Sequence, residues 1–303
     1  MDYSKVDKLI NEGCVVQRDE PLCRHTTFKV GGNADRFVTV YTENQLKCVL
    51  KAAAQIPQFI LGNGSNILVS DEGFRGVIIR LSGEFTEIKR HEDKITAGAA
   101  VTLSSLCHFA QQEGLSGLEF AYGIPGTVGG ALYMNAGAYG GEMKDVALSA
   151  KSMDFTGKTY EYHSEELCLE YRRSCFQDTR QIITGLTLQL SAGDKKEIND
   201  TMQELLSKRM EKQPYSMPSG GSTFKRPKGR YAAELIESCG LKGYTVGGAQ
   251  VSEKHAGFII NKGTATCKNI LDLIEYIQKK VYEKENIKLE CEIHIIGEGI
   301  QLK

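Results

Sequence analysis

Two glycine-rich runs carry the backbone best suited to bind a charged ligand through main-chain atoms. The segment 123–140, GIPGTVGGALYMNAGAYG, has six glycines in eighteen residues and no charged side chain, whereas the chain average of 32 in 303 would give about two. The segment 60–71, ILGNGSNILVSD, adds small hydroxyl and amide side chains. Glycine lets a ligand approach the backbone, and clustered N–H groups bind anions. Together the runs favour a diphosphate-bearing ligand held without Lys or Arg, although either run alone also suits ordinary tight turns.

Two familiar nucleotide-binding motifs do not fit these segments. GNGSNI fails the dinucleotide fingerprint because Ile67 stands where glycine or alanine is required. GKT at 157–159 lacks the glycine five residues before Gly157, where Ser152 stands, so it predicts a hairpin turn and not a phosphate-binding loop. A diphosphate would therefore be bound by a different loop geometry.

Side chains that suit proton transfer or charge stabilisation occur in three short segments: YRRS at 171–174, GGSTFKR at 220–226 and LECEI at 289–293. Strand alternation places Glu290 and Glu292 on one face and Cys291 on the other, so the pattern alone does not choose between the two carboxylates. A serine after two glycines is most often a turn residue, and a loop arginine is usually a solvated charge. The residue types alone leave these roles open.

The composition is typical of a globular chain that binds a small molecule. With 303 residues and 41% hydrophobic content, the chain suffices for about two domains. Because 37 Lys and Arg balance 38 Asp and Glu, we expect no nucleic-acid or membrane partner. The sequence has no apolar segment of signal-peptide or membrane-spanning length, so we expect a cytoplasmic location. The nine cysteines form no CxxC pair and the six histidines no HExxH, so we expect neither disulfides nor a metal site.

The elements that must position these segments begin with an expected β-α-β unit. It comprises a strand at 35–40, a helix that starts with Thr42 and Gln45 at capping-box spacing, and a strand at 58–61. The apolar face of that helix is formed by Leu46, Val49, Leu50 and Ala53. Three further elements are predicted before the glycine-rich run at 123–140. They are a strand at 76–81, a hairpin formed by 86–90 and 94–100, and a helix at 103–113 that Gly114 ends.

Strands predicted at 146–154, 158–162 and 181–190 surround the YRRS segment. A highly charged helix then predicts a connector, with a domain boundary near Ala192; its apolar face consists of Ile198, Met202, Leu205 and Leu206. The last third predicts, in order, a loop at 214–229, a helix at 231–239, a strand at 257–261, a long helix and a strand at 288–296. The long helix is striped by Ile270, Ile274, Ile277 and Val281. This order indicates an α+β fold.

Seven motifs, in this order, closely resemble the family of UDP-N-acetylenolpyruvoylglucosamine reductases. They are HTTFKVGG (25–32), LGNGSNILVSD (61–71), GIPGTVGGALYMNAGAYG (123–140), YRRS (171–174), GSTFKRP (221–227), GGAQVSEKHAGFIIN (247–261) and LECEI (289–293). The resemblance implies an α+β fold with an FAD-binding domain of the vanillyl-alcohol-oxidase type at 1–192, in lobes of about 1–82 and 83–192. A substrate-binding domain at 193–303 would include the connector helix, and the absence of a long insertion there is similar to the shorter of two subclasses.

The resemblance also implies a reaction. Members of this family reduce UDP-N-acetylglucosamine enolpyruvate to UDP-N-acetylmuramate, a peptidoglycan precursor, and so serve cell-wall biogenesis, cell shape and cell division. NADPH is the implied hydride donor and FAD the noncovalent cofactor, with His25 the nearest candidate for a covalent link. By match to the motifs, the cofactor-binding residues would be Gly62, Asn63, Gly64, Ser65, Asn66, Ile124, Pro125, Gly126, Thr127, Gly129, Asn135 and Gly137.

Three catalytic roles follow from the same match. Arg172, which directly follows Tyr171 in the motif, would stabilise charge on the substrate carboxylate; Arg173 is the counter-candidate. Ser222 would supply the final proton, and Glu292 would orient the carboxylate or take part in proton transfer. The implied substrate-binding residues are Tyr171, Lys225 and Arg226, although an exposed basic turn would explain the last two nearly as well.

Two other functions remain open at this stage. The first is a different flavin oxidoreductase, such as a sugar or hydroxy-acid oxidase that passes electrons to oxygen. The motifs GSTFKRP and LECEI disfavour this alternative. The second is a flavin- or nucleotide-binding module without turnover, which the Arg, Ser and Glu set disfavours. We expect a monomer with a small-molecule substrate.

Overall fold

Both helices and strands occur along residues 1–299, the part of the chain that the computed structural model describes. The α-helices are α1 (Ser4–Asp7), α2 (Glu43–Ala52), α3 (Leu103–Gln112), α4 (Val128–Tyr133), α5 (Phe176–Thr179), α6 (Lys195–Lys212), α7 (Ala232–Ser238) and α8 (Cys267–Glu285). The strands are β1 (Val15–Pro21), β2 (Asn33–Val40), β3 (Gln58–Ile60), β4 (Ile67–Val69), β5 (Phe74–Leu81), β6 (Ile88–His91), β7 (Lys94–Gly98), β8 (Leu115–Ser116), β9 (Gly137–Ala138), β10 (Gly141–Glu142), β11 (Ala147–Met153), β12 (Thr159–His163), β13 (Ile182–Gln189), β14 (Ser191–Ala192), β15 (Ser219–Ser222), β16 (Thr245–Val246), β17 (Ala249–Val251), β18 (Phe258–Asn261) and β19 (His294–Ile296).

The larger sheets contain the predicted strands in three groups. One sheet has the order β1-β2-β5-β3, with β3 parallel to β5, so the strands of the expected β-α-β unit are separated by β5. The second has the order β12-β11-β13-β7-β6 and is antiparallel throughout. The third has the order β15-β18-β17-β16. The predicted hairpins are both confirmed: β6 pairs with β7, and β11 pairs with β12 across the GKT turn.

The chain divides into two compact units that interleave in sequence. The larger unit comprises Met1–Gln17, Arg36–Asn63 and Gly76–Lys208, and the smaller comprises Arg18–Asp35, Gly64–Arg75 and Arg209–Lys303. The early segments join the smaller unit because Phe28, Val30 and Leu68 are buried in its core. The functional division of the chain near residue 192 stays a prediction, and residues 300–303 of the second predicted domain lie outside the described residues.

Helix starts and apolar faces follow the sequence closely. In the larger unit, Thr42 caps α2 by accepting a hydrogen bond from the Gln45 N–H at 3.2 Å, and the helix buries Leu46, Val49 and Leu50. In the smaller unit, α8 buries its predicted stripe completely. Asp71 also anchors α8, since its carboxylate accepts hydrogen bonds from the first free N–H groups of the helix, those of Cys267 at 2.7 Å and Lys268 at 3.0 Å.

The last predicted strand, at 288–296, is wrong over residues 288–293. Only β19 is a strand, parallel to β4, while the segment before it pairs elsewhere. There the Glu292 N–H donates to the Thr223 carbonyl at 2.8 Å and the Lys225 N–H donates to the Glu290 carbonyl at 2.9 Å. The segment that carries both glutamates therefore runs beside the GGSTFKR segment, because its backbone groups find their partners there.

No helix among residues 1–299 is both long and apolar enough to cross a bilayer. Within the same residues, no group of three or more His, Cys, Asp or Glu side chains is placed to hold a metal ion.

Candidate functional site

The two glycine-rich runs meet within the larger unit. A Cβ atom built on Gly62 would lie 2.8 Å from the Oγ1 atom of Thr127, so the backbone at Gly62 lies directly against that side chain. Gly62 and Asn63 are exposed, and so are Pro125 and Gly130 in the run at 123–140. Exposed, uncharged residues of both runs thus lie near each other.

In the glycine-rich run at 123–140, Thr127 caps a short helix, α4, that was not predicted from the sequence. Its Oγ1 atom accepts a hydrogen bond from the Gly130 N–H at 3.3 Å and so caps α4. Val128, Ala131 and Leu132 are buried on one face of that helix. The signal was present, because a threonine precedes apolar residues spaced three and four apart; the paired glycines within the helix obscured it.

Several predicted cofactor glycines are needed for close packing of the protein itself. A Cβ atom on Gly64, whose φ is +61°, would lie 2.3 Å from the His25 carbonyl oxygen. On Gly129 it would lie 2.9 Å from the Ala99 Cβ, and on Gly137 2.7 Å from the Glu142 Cβ. Internal packing therefore accounts for the absence of a side chain at these three glycines, as the contact with Thr127 does at Gly62.

The other cofactor candidates lie in the same two segments. The Ile124 N–H donates to the Ala121 carbonyl at 3.0 Å, and the Gly126 carbonyl accepts from the Leu103 N–H at 3.0 Å. Both bonds fix the backbone just before α4. Ser65 and Asn66, in the smaller unit, are half-buried.

Asn135, predicted as a cofactor residue, has a fully buried side chain that the protein itself satisfies. Its Nδ2 atom donates to Glu142 Oε2 and to the Glu170 carbonyl, both at 3.0 Å, and its Oδ1 atom accepts from the Lys144 N–H at 2.9 Å. Both donor hydrogens are therefore used within the larger unit. The side chain ties the end of the glycine-rich run to the segment that carries the YRRS motif.

Arg172 lies in a tight turn of the larger unit. The N–H groups and carbonyls of Glu170 and Arg173 bond to each other in both directions, at 3.1 and 3.2 Å, which leaves Tyr171 and Arg172 at the centre of the turn. Arg172 has a φ of +57°, in the left-handed region that non-glycine residues rarely adopt. Its guanidinium lies 5.1 Å from the centre of the Tyr171 ring, which is about half exposed.

The counter-candidate Arg173 has a separate partner. Its Nη2 atom lies 3.0 Å from Asp178 Oδ2, and both side chains are largely exposed. This hydrogen bond raises the pKa of the Arg173 guanidinium. Arg173 is thus paired at the surface, and the choice of Arg172 as the catalytic cation stays a prediction from the motif.

Ser222, in the smaller unit, ends β15 at a half-buried position opposite Phe258. Gly221 before it has a φ of +78°, and a Cβ atom there would meet nothing within 4 Å, so glycine is needed for conformation and not for space. The next residue, Thr223, is fully buried, and its carbonyl accepts the bond from the Glu292 N–H. The backbone thus brings the predicted proton donor and Glu292 close together.

The two glutamates of LECEI have different surroundings. Glu290 forms an ion pair with Lys225 and its side chain is 70% exposed. Glu292 is half-buried, and its carbonyl accepts a hydrogen bond from Asn66 Nδ2 at 3.1 Å. Because Lys225 is paired with the Glu290 carboxylate, a substrate diphosphate would compete with Glu290 for Lys225. The guanidinium of Arg226, the other basic candidate, lies 4.5 Å from the centre of the Tyr231 ring.

Two half-buried histidines of the smaller unit have lowered pKa values. Burial lowers the pKa of His255, and burial with the nearby Lys225 charge lowers the pKa of His294. His25, the nearest candidate for covalent attachment of a flavin, contacts the Glu20 carboxylate through its Nε2 atom at 2.9 Å.

Sequence profiles and known relatives agree with this arrangement. A profile described as "FAD binding domain" matches residues 34–162, and one described as "UDP-N-acetylenolpyruvoylglucosamine reductase, C-terminal domain" matches residues 213–296. The reductase of Alkaliphilus oremlandii is 46% identical over 298 residues, 98% of each chain, and that of Clostridioides difficile is 48% identical over 285 residues, 93% of this chain and 94% of the relative. The crystal structure of the Thermus caldophilus reductase covers 93% of this chain and 99% of its own, with 39% identity and a TM-score of 0.81.

These similarities confirm the α+β fold class with an FAD-binding domain and the resemblance that the motifs indicated. The chain therefore belongs to the family of UDP-N-acetylenolpyruvoylglucosamine reductases and is an FAD-dependent oxidoreductase.

Proposed function

We propose that this chain reduces UDP-N-acetylglucosamine enolpyruvate to UDP-N-acetylmuramate with NADPH, as a cytoplasmic step of peptidoglycan precursor synthesis. The observation that carries the proposal is family membership over nearly the whole chain. FAD, when bound, supplies the carrier that accepts hydride from NADPH and passes it to the substrate. The remaining chemistry falls to side chains of the protein.

The predicted residues of the two glycine-rich runs hold the cofactor in this proposal. Gly62 and Asn63 support contact with the diphosphate, because both residues are exposed and uncharged and carry backbone N–H groups. Thr127 holds the run in place through the cap of α4. Asn135 contributes by fixing the loop, since its side chain is fully used by protein partners.

Arg172 stabilises negative charge that develops on the substrate carboxylate. Hydride addition at the methylene carbon pushes electrons toward the carboxylate, so a fixed cation there stabilises the transition state more than the ground state. The tight turn supports this role because it fixes the backbone from which the side chain extends. Tyr171, beside it, lines the substrate.

Ser222 then gives a proton to the carbon that bears the carboxylate. A serine hydroxyl is a weak acid, but it can protonate a strongly basic carbanion when its neighbours stabilise the alkoxide. Glu292 is held close in the backbone and orients the carboxylate or returns the proton to Ser222. Lys225 and Arg226 bind the substrate diphosphate, for which Lys225 leaves its pairing with Glu290.

Steady-state consumption of NADPH by the purified protein, with and without the enolpyruvyl sugar, separates the proposal from its alternatives. We expect NADPH oxidation that depends on the sugar, with one product heavier than the substrate by two hydrogens. NADPH oxidation that needs oxygen and not the sugar would indicate an oxidase. No turnover from a protein that still binds FAD would indicate a binding module.

A further inference from the structure

Gln177 joins the turn that carries Arg172 to the end of α4. It lies on α5, where its Nε2 atom donates to the Arg172 carbonyl at 3.0 Å and to the Tyr133 carbonyl at 3.0 Å. A glutamine amide has two donor hydrogens, and both are matched to a carbonyl. One side chain therefore connects the turn to the last residue of the helix in the glycine-rich run.

The surroundings of Gln177 make this connection stiff. Phe176, the preceding residue, is 1% exposed and packs edge-on against Tyr162, with the ring centres 5.4 Å apart. Ser174, fully buried, donates its hydroxyl to the same Tyr133 carbonyl at 2.8 Å. Carbonyls at the end of a helix have no partner within the helix, and here two side chains satisfy the last one.

The backbone of Arg172 needs such support. An arginine with a φ of +57° is strained relative to the ordinary right-handed region and relaxes unless its surroundings hold it. The ladder bonds between Glu170 and Arg173 close the turn from both ends, but Gln177 bonds the carbonyl of Arg172 itself. Rotation of that peptide would redirect the guanidinium.

We propose that Gln177 is a positioning residue, which holds the Arg172 peptide in its left-handed conformation so that the guanidinium meets the charge that develops on the substrate carboxylate. This inference rests on the role proposed for Arg172. Gln177 contacts neither cofactor nor substrate in this account, so its loss affects the reaction only through Arg172.

A double-mutant cycle of Gln177→Met and Arg172→Ala tests the inference in anaerobic stopped-flow experiments. Methionine keeps the length of the side chain and removes both donors. We expect Gln177→Met to slow flavin reoxidation by the enolpyruvyl sugar by roughly 10 to 100-fold, the usual effect of a displaced catalytic group. Flavin reduction by NADPH, and FAD affinity measured by quenching of flavin fluorescence, are expected to change by less than about threefold because neither depends on Arg172.

In the Arg172→Ala background, we expect Gln177→Met to slow reoxidation by less than about twofold, since the group it positions is already gone. Gln181→Met is the matched control: it removes the 2.6 Å bond from the Ser152 hydroxyl elsewhere in the larger unit and should leave reoxidation unchanged. If Gln177→Met fails to retain FAD, Gln177→Glu, which keeps the shape but loses the amide donors, takes its place in the cycle.

The outcomes separate failure of the inference from failure of the proposed function. If Arg172→Ala itself leaves reoxidation unchanged, the role of Arg172 is wrong and the inference falls with it. If Arg172→Ala slows reoxidation but the Gln177 variant does not, or slows it equally in both backgrounds, Gln177 does not act through Arg172. Equal slowing of both half-reactions by the Gln177 variant would likewise overturn the inference.

Discussion

Replacement of Asn135 by alanine should be among the most destabilising polar substitutions in the larger unit. The change removes three buried hydrogen bonds, to Glu142, Glu170 and Lys144, each of which contributes about 1 kcal/mol. It also places alanine at a φ of +40°, which costs roughly 1 kcal/mol more than asparagine does. We expect a loss of about 4 kcal/mol in the free energy of unfolding, or roughly 8 to 16 °C in Tm for a unit of this size.

Urea unfolding followed by circular dichroism at saturating FAD measures this loss. Two further variants show how much of the loss comes from the hydrogen bonds and how much from the backbone conformation. Asn135→Gly removes the same bonds but suits a positive φ, so it should be about 1 kcal/mol less destabilising than Asn135→Ala. Asn44→Ala, the same substitution at an exposed position of α2, should change stability by less than about 0.5 kcal/mol. A loss below about 1 kcal/mol for Asn135→Ala would refute the reasoning, because the buried bonds would then contribute almost nothing.

Three further outcomes are expected. Ser222→Ala should slow flavin reoxidation by the enolpyruvyl sugar by roughly 10² to 10⁴, the usual effect of a lost general acid, and leave reduction by NADPH intact in stopped-flow traces; equal slowing of both would make Ser222 a structural residue. Acid precipitation of the yellow protein should release FAD into the supernatant, and flavin retained in the pellet would point to a covalent link, with His25 the first residue to examine. The free energy of unfolding should fall as the pH drops below about 6.5, because the pKa values of His255 and His294 are lowered in the folded state and the unfolded state therefore binds more protons. In urea unfolding, a variant with both His255→Gln and His294→Gln should lose less stability between pH 7 and 5. An unchanged pH dependence would exclude these histidines as the cause.

Local features were predictable from sequence because their causes are local. The cap at Thr42, the stripe of α8 and the GKT hairpin turn each depend on residues within a few positions of one another. The two glycine-rich runs were also recognised from their composition. Close packing within the protein accounts for Gly64 and Gly62, and ligand contact at the exposed Gly62 stays a proposal.

The remaining features depend on partners far apart in the chain. Strand alternation placed Glu290 and Glu292 on one strand face, yet their segment bonds to residues 223–225 and the strand begins only at His294. The partner of Asn135 at Glu170 is 35 residues away, and that of Asn66 at Glu292 is 226 residues away. No periodicity encodes such pairings, so the side chains that support the site became visible only in the fold.

The most direct test of the account follows the flavin absorbance of the purified protein without oxygen. NADPH should bleach the flavin band, and subsequent addition of UDP-N-acetylglucosamine enolpyruvate should restore it while UDP-N-acetylmuramate forms in equal amount. A flavin that NADPH reduces but that stays bleached with the enolpyruvyl sugar, and recovers only when oxygen is admitted, would contradict the account.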